Sequence, residues 1–496
     1  MRKTTSFILT FVLVATYAFA VGQQQAATDT PEVTVFWRIG AHSIDGDNPI
    51  VQEIEKRSGV RPVFQNIPWG AAYFERLNLG VASGDLADIV MTPGPTNANV
   101  YGWASEGVFR PLDDLLRDAP NIAAQVPAEV MESMVFEDGN TYWIPRLWVA
   151  PHVFLMRDDL LDRYGVSAPQ TLDEFYEAGK IIRDGLRRDG RDDAYAYGGV
   201  NLLFWARWVS AAFDLPIDRF KMIDGEWRYT TTVPESRQWV EYLKRLHDEG
   251  IMDPEFLILN WAQGTERLHQ GRIAMGGFRI DSVVRANEVF ARAGLDARVS
   301  AYAPPRSADG IGGYTYNTPL TEDGVGFWMT ASISAASRKA EAAMQLMDYM
   351  ISEDGTTLGF WGREGIEHRR TTGGRFEWLI PVPEREQLGL PMYVNFLTGE
   401  PRYGEALDDP WSDEAEEIYS VIKDSIYQDF LVVVPTNERM RELTADLGTF
   451  VNENIGNFIT GGRPIDEYDA FIAEWERRGG RELLEELTRE MERRGQ

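Results

Sequence analysis

Between Glu32 and Glu106 the apolar positions switch back and forth between a strand period and a helix period. Glu32-Val33-Thr34-Val35-Phe36-Trp37 reads as a buried strand, and Asn48-Pro49 offers a cap followed by a proline at the first helical position. Ile50, Val51 and Ile54 give the predicted helix one apolar face, and Gly59 ends it before a second strand over Val60 to Ile67. The same alternation predicts a helix from Tyr73 to Ala82, a Gly84-Asp85 turn, a short strand over Asp88 to Met91 and a helix near Asn97 to Glu106. Strands alternating with helices predict a mostly parallel sheet covered on both faces. Ligands of such sheets sit beyond the carboxyl ends of the strands, which here carry Trp37-Arg38 and Thr92-Pro93.

Residues 155 to 300 are richer in helical patterns. Glu235 to Glu249 is amphipathic through Trp239, Leu243 and Leu246, with Gly250 as its stop. Strand-like runs at Ile273 to Phe278 and Gly326 to Met329 bracket a stretch rich in Gly, Tyr and Pro, where the chain is expected to cross back to the first sheet. The helix predicted over Lys339 to Ile351 is expected to cross again. From Glu414 onward the pattern is helical, closing on Leu483, Leu484, Leu487 and Met491. A chain of 496 residues is too long for one ordinary core, and two large lobes fit it.

The N-terminus reads as an export signal. Met1-Arg2-Lys3 is basic, Phe7 to Val14 is apolar but for Thr10, and Ala18-Phe19-Ala20 is an A-x-A cleavage pattern. The apolar run is shorter than the ~20 residues of a membrane-spanning helix. Residues 1–20 are therefore expected to be a cleaved signal peptide, and 21–30 a disordered spacer. The formal charge is −28, and loss of Arg2 and Lys3 takes it to −30, a field that argues against nucleic-acid binding. Most of that acidity reads as solvated surface. Cysteine is absent, which removes disulfides, thiolate metal sites, Cys nucleophiles and an N-terminal lipid acceptor.

No catalytic motif stands out. His42, His152, His247, His269 and His368 form no i, i+4 pair for a zinc site, and Gly310-Ile311-Gly312-Gly313 completes no phosphate-binding pattern. Asp408, Asp409, Asp413 and Glu414 are adjacent acids that leave a glycosidase pair open, because separation in space decides that chemistry. The aromatic supply is more telling: 15 Trp, 19 Tyr and 24 Phe, with Trp37, Trp69, Trp103, Trp148, Trp205, Trp261 and Trp361 at predicted strand ends or loops. Flat apolar rings stack on the C–H faces of sugars while neighbouring Asp, Asn and Arg bond the hydroxyls, so the mixture suggests carbohydrate.

These segments resemble extracellular solute-binding proteins of ABC importers, in the carbohydrate-binding family 1 and its oligosaccharide-binding lipoprotein-like subgroup. The resemblance rests on Glu55-Lys56-Arg57-Ser58-Gly59-Val60, Ala82-Ser83-Gly84-Asp85-Leu86-Ala87-Asp88-Ile89 and Gly107-Val108-Phe109-Arg110-Pro111-Leu112. It continues through Asp138-Gly139-Asn140-Thr141-Tyr142-Trp143-Ile144-Pro145, Pro169-Gln170-Thr171-Leu172-Asp173-Glu174-Phe175, Glu249-Gly250-Ile251-Met252-Asp253-Pro254, Gly362-Arg363-Glu364-Gly365 and Asn457-Phe458-Ile459-Thr460-Gly461-Gly462.

The resemblance implies an α/β, periplasmic-binding-protein-like type II fold, in which two lobes with mixed, mostly parallel sheets are joined by a multi-strand hinge. The first lobe is expected over 31–149 and 274–334, the second over 150–273 and 335–496. It implies a non-enzymatic, monomeric binding protein, free in the periplasm because Cys is absent, that passes a sugar, most naturally an oligosaccharide, to membrane permease subunits. A secreted polysaccharide hydrolase or lyase, or a protein feeding a membrane sensor, is the alternative. No cofactor is expected. Relatives often carry an acidic calcium loop where this sequence reads Asp184 to Asp193, and four arginines from Arg183 onward disfavour the ion there. By position the ligand-binding candidates are Trp37, Arg38, Thr92, Arg146, Trp148, Asn201, Trp205, Phe278, Arg279 and Trp361, with Tyr316 beside them. Arg38, Arg146, Arg207 and Arg279 are suited to clamping a carboxylate.

Overall fold

The computed structural model describes residues 30–39, 42–68, 70–95, 97–148, 152–199, 206–314, 326–372, 374–390, 393–398, 417–418, 420 and 438–494. Its strands, in chain order, are β1 (Glu32–Ile39), β2 (Arg61–Pro68), β3 (Ile89–Thr92), β4 (Ile144–Trp148), β5 (His152–Arg157) and β6 (Tyr195–Tyr197). They continue with β7 (Phe220–Ile223), β8 (Glu226–Tyr229), β9 (Ile273–Arg279), β10 (Val299–Tyr302), β11 (Gly326–Ile333), β12 (His368–Arg370) and β13 (Phe376–Trp378).

The first β-α-β unit forms for the reasons its sequence suggests. The Asn48 side chain accepts hydrogen bonds from the Ile50 and Val51 amides, Pro49 opens the helix Pro49–Ser58, and Gly59 closes it in the left-handed region at φ 73°. Ile50, Val51 and Ile54 face the core. β1 pairs in parallel with β2 from Glu32↔Arg61 to Ile39↔Pro68, and with β3 through Val35↔Ile89.

Two main sheets result. The first has the order β2-β1-β3-β11-β4, and the second β10-β5-β9-β6. In the first, β11 runs antiparallel to both neighbours. In the second, β5 is antiparallel to β9 and β10, and β6 is parallel to β9. Central β5 is apolar without alternation: Val153, Phe154, Leu155 and Met156 are each 0% exposed, as in a strand covered on both faces.

Chain tracing between the lobes differs from the sequence expectation at two places. β9 and β10, expected in the first lobe, hydrogen-bond to β5 in the second sheet, and the chain returns to the first sheet only at β11. The helix Ala340–Ile351 does not cross again. Its Ala343, Met344, Met347 and Met350 lie in the first core, together with Leu390, Val394 and Phe396. The helices Glu438–Thr460 and Arg481–Arg494 pack into the second core through Leu447, Phe458, Leu487 and Met491. Local period predicts that a strand exists but not which distant partner it joins.

β9 holds its place by close backbone approach. A Cβ on Gly276 would stand 2.2 Å from the carbonyl oxygen of Gly198, where the chain leaves β6. Gly276→Ala is therefore expected to lower unfolding free energy by about 1–3 kcal/mol, the range of overpacked sites. Urea denaturation measures it, and unchanged stability would mean that the two backbones part readily.

Candidate functional site

The topology turns one edge of each sheet toward a common hinge. β11 is antiparallel to β3 and β4, so β1, β3 and β4 all end on the same edge of the first sheet. The chain leaves that edge at Trp148 and enters β5 at His152. His152 pairs with Arg279, which places the end of β9 at the hinge, and β6, parallel to β9, ends on the same side. The carboxyl ends of β1, β3, β4, β6 and β9 thus converge from both lobes.

On the first lobe this edge is organised around Trp37. Its indole is 1% exposed and donates from Nε1 to the Tyr393 carbonyl oxygen at 3.0 Å. Two guanidiniums lie against it: Arg38 with its Cζ 5.5 Å from the ring centroid, and Arg146 at 5.3 Å. Arg38 is also 5.5 Å from the Tyr393 ring. An indole face is the best cation platform among side chains, so the ring orients both charges. Trp37 therefore acts from inside the protein, as a carrier of arginines. Arg146 is itself 2% exposed. The segment 393–398 is anchored by Asn395, whose Nδ2 donates to the Met350 carbonyl and whose Oδ1 accepts from the Leu397 and Thr398 amides. Leu147 of β4 then donates to the Leu397 carbonyl at 3.1 Å.

At the end of β3, Thr92 is fully buried, with its hydroxyl 3.1 Å from that of Thr330 on β11. Tyr73 pins the same strand end, donating to the Met91 carbonyl at 2.7 Å. Burial pushes the Tyr73 hydroxyl well above its usual range and outweighs the opposing influence of Arg38, so the phenol stays neutral. Both groups make a rigid rim.

On the second lobe, Arg279 precedes the helix Ile280–Arg292 and lies over Trp261, with its Cζ 5.5 Å from the ring centroid. Trp261 begins the helix Trp261–His269, capped by reciprocal hydrogen bonds between Asn260 and Gln263. Two turns along, Arg267 is ion-paired with Asp253, which is 0% exposed, and with Glu255. The Asp253 amide donates to the Tyr197 carbonyl at the end of β6, so the pair ties that helix to the sheet edge. Arg207, 8% exposed, starts the short helix Arg207–Ala211 that follows β6.

The remaining candidates fall elsewhere or outside the described residues. Phe278 is 0% exposed and packs with Ile280, Val283 and Phe290 in a core beneath β9. Trp361 is stacked on Phe376 at 4.9 Å and an interplanar angle of 6°, with Trp378 on another side. Its ring neighbours Phe376 and Trp378 belong to the β12–β13 hairpin. Trp148 ends β4, opposite Gly326, and its backbone alone is described. Asn201, Trp205, Tyr316 and the acids from Asp408 to Glu414 lie outside the described residues. Tyr393 is a rim residue that sequence reading missed, since it reaches Trp37 from 356 positions away.

Among the described residues no group of three or more His, Asp or Glu is placed to hold a metal ion. In the stretch from Asp184 to Asp193, three acids, Asp184, Asp189 and Asp193, have arginine partners. Asp184 accepts from Arg183 at 2.8 Å, Asp189 from Tyr164 at 2.7 Å and Arg163 at 2.9 Å, and Asp193 lies 3.3 Å from Arg272. Hydrogen bonding from Arg183 holds the Asp184 carboxyl below its usual range, and that from Tyr164, with Arg163 behind it, does the same for Asp189. No helix among the described residues is long and apolar enough to cross a membrane.

Comparison with known proteins places this architecture. A family model described as bacterial extracellular solute-binding protein matches residues 50–361. The chain is 22% identical over 453 residues to the polygalacturonan/rhamnogalacturonan-binding protein YtcQ of Bacillus subtilis, covering 88% of this chain and 86% of that one. The crystal structure of the alginate-binding protein AlgQ2 without calcium ion superposes with a TM-score of 0.71 at 19% identity, covering 92% of this chain and 97% of that one. An EF-hand mutant of the S. pneumoniae ABC-transporter substrate-binding protein FusA, in complex with fructo-nystose, gives 0.71 at 16% identity, with 94% and 99% covered. The expected type II periplasmic-binding-protein-like fold is therefore the observed one. The family match spans well over half of the chain, and the chain belongs to the bacterial extracellular solute-binding protein family.

Proposed function

We propose that this family member is the substrate-binding component of an ABC transporter, taking up a carbohydrate of more than one sugar unit between its lobes and presenting it to membrane permease subunits. The observation that carries this reading is the convergence of strand ends from both sheets on one hinge, with aromatic-backed polar groups on each side: Trp37, Arg38, Arg146 and Tyr393 on one, Trp261 and Arg279 on the other. A ligand held by both edges favours the closed form by its differential affinity for it, which is how hinge proteins couple capture to closure. The relatives named above bind carbohydrates, both acidic, as in polygalacturonan and alginate, and uncharged, as in fructo-nystose. The protein acts as a monomer and releases its ligand chemically unchanged. Its address is the periplasm, reached by cleavage after Ala18-Phe19-Ala20, a reading supported by the basic start and apolar run that precede that site.

A thermal-shift panel tests this. An oligosaccharide ligand at about 100 times its Kd should add ~2.7 kcal/mol of stability, and small-angle scattering should show a smaller radius of gyration on binding. Silence across acidic and neutral oligosaccharides would remove the carbohydrate reading, and product formation from a bound saccharide would replace it with an enzyme.

The arginine partners of Asp184, Asp189 and Asp193 give a second expectation. A dication there would have to displace guanidiniums already bonded to those carboxylates. The melting temperature should therefore be the same in a chelator as in excess calcium, and a rise with calcium would reveal a site that these ion pairs do not block.

A further inference from the structure

We propose that His368 is a positioning residue for the first-lobe rim: as the neutral imidazole it fixes the helix Glu353–Trp361, and this helix holds the segment 393–398 against Trp37. Saccharide affinity then falls in acid. The loss of affinity rests on the carbohydrate reading above, and the hold on the segment does not.

A continuous line of contacts carries it. His368 begins β12, is 1% exposed, and has Nδ1 3.0 Å from the Trp361 carbonyl oxygen. A carbonyl only accepts, so Nδ1 carries the proton of the neutral ring and Nε2 is left as an acceptor. Trp361 is the last residue of its helix, and two residues earlier the Gly359 backbone meets Asn395: a Cβ on Gly359 would stand 2.7 Å from the Asn395 Cβ. Asn395 is 0% exposed and anchors the segment 393–398 through Met350, Leu397 and Thr398. At the start of that segment the Tyr393 carbonyl accepts from the Trp37 indole. The loop that carries His368 is equally close-packed. A Cβ on Gly362 would stand 2.7 Å from that of Glu367, a buried carboxylate that accepts from the Arg363 amide and guanidinium. Packing of this density passes a displacement on to the helix instead of absorbing it.

Only the neutral ring suits this place. Nε2 is buried and has no hydrogen-bond partner, so protonation would set a charged donor where nothing accepts it. The charged groups nearby are Arg363, Glu364, Glu367 and Arg370 on its own segment, Glu353 and Asp354 at the start of the helix, and Arg57 on the helix Pro49–Ser58. Glu367 is paired with Arg363 and Asp354 with Arg57, Glu353 lies 3.9 Å from Arg370, and Glu377 on β13 is paired with Arg369. His368 also lines a surface cleft of about 500 Å³ with Arg57, Glu353, Glu364 and Arg370, which gives a proton its way in. Burial, aided by Arg370, holds the imidazole below its usual range, against the bond to Trp361 and the charges of Glu364 and Glu367. A histidine depressed in the folded form favours that form fully above its ordinary value of about 6.5, and progressively less as pH falls below it.

The test is hydrogen exchange of the full chain without ligand at about pH 7.5 and about pH 5, corrected for the intrinsic effect of pH, with His368→Asn beside wild type. Asparagine keeps a donor in the place of Nδ1 and does not titrate. In wild type the amides of 353–361 and 393–398 should exchange faster at the lower pH, and in His368→Asn they should not. Unchanged exchange of 393–398 in wild type, or an equal rise in the variant, would overturn the proposal. Calorimetry with fructo-nystose and with tetragalacturonate at the same two pH values reads the affinity. Whichever binds at about pH 7.5 should bind wild type at least about fivefold more weakly at about pH 5, and His368→Asn equally at both. His368→Phe, which keeps a ring but loses the bond to Trp361, should bind weakly at both. A wild-type affinity independent of pH, or a fall that His368→Asn retains, would overturn the positioning role and leave the carbohydrate reading standing. Failure of both saccharides at about pH 7.5 would count against the carbohydrate reading, and the exchange profile would still decide the role of His368.

Discussion

Trp37→Ala should destabilise the protein by about 3–5 kcal/mol and abolish saccharide binding in whatever protein remains folded. The stability term follows from emptying a site that is 1% exposed at the end of β1, where a large buried ring is replaced by a cavity. The binding term has a separate cause, because Arg38 and Arg146 both rest on that ring and would lose their orientation together. Trp37→Phe separates the two. It keeps an aromatic face beneath the guanidiniums but removes the Nε1 donor to the Tyr393 carbonyl, so it should cost only about 1–3 kcal/mol of stability and retain most of the affinity. Chemical denaturation and calorimetry on the two variants check this. Full affinity in a folded Trp37→Ala protein would show that the arginines need no platform, and the site would have to be moved from this edge.

The contrast between Trp37 and Tyr393 shows how far sequence reading reaches. The end of β1 was legible because an apolar run, the Asn48-Pro49 cap and the Gly59 stop mark out a β-α-β unit, and such units place ligands at strand ends. Arg146 was legible as a polar residue in the strand that leads out of the first lobe. Tyr393 was not, since nothing local at 393–398 signals that Asn395 will tie the segment to Met350 while Leu397 accepts from Leu147. The membership of β9 was hidden for a related reason. Its pattern marks a buried strand, but its partner is decided by the close approach of Gly276 to Gly198, 78 positions earlier in the chain. Phe278 shows the opposite limit: a residue next to the hinge arginine in sequence points into the core, because successive side chains of a strand take opposite faces.

The second large effect is expected at Arg267, away from the cleft surface. Its guanidinium bonds Asp253, a carboxylate that is 0% exposed, and Glu255 at the rim, and Asp253 donates its amide to the last residue of β6. Arg267→Met leaves a buried carboxylate without its cation, a change that commonly costs about 3–5 kcal/mol. Adding Asp253→Asn should recover much of that loss, because the residual polar group is then neutral and can still accept from the Glu255 amide. The double variant also tests how the second lobe presents Arg279. Arg267 and Trp261 share one short helix, and Trp261 is the ring on which Arg279 lies. If the ion pair sets the position of that helix, the stabilised double variant should bind saccharide more weakly than wild type despite its recovered melting temperature. If the helix is placed by its packing through Leu268 and its Asn260 cap alone, recovery of stability should bring back full affinity, and the ion pair would count only toward folding.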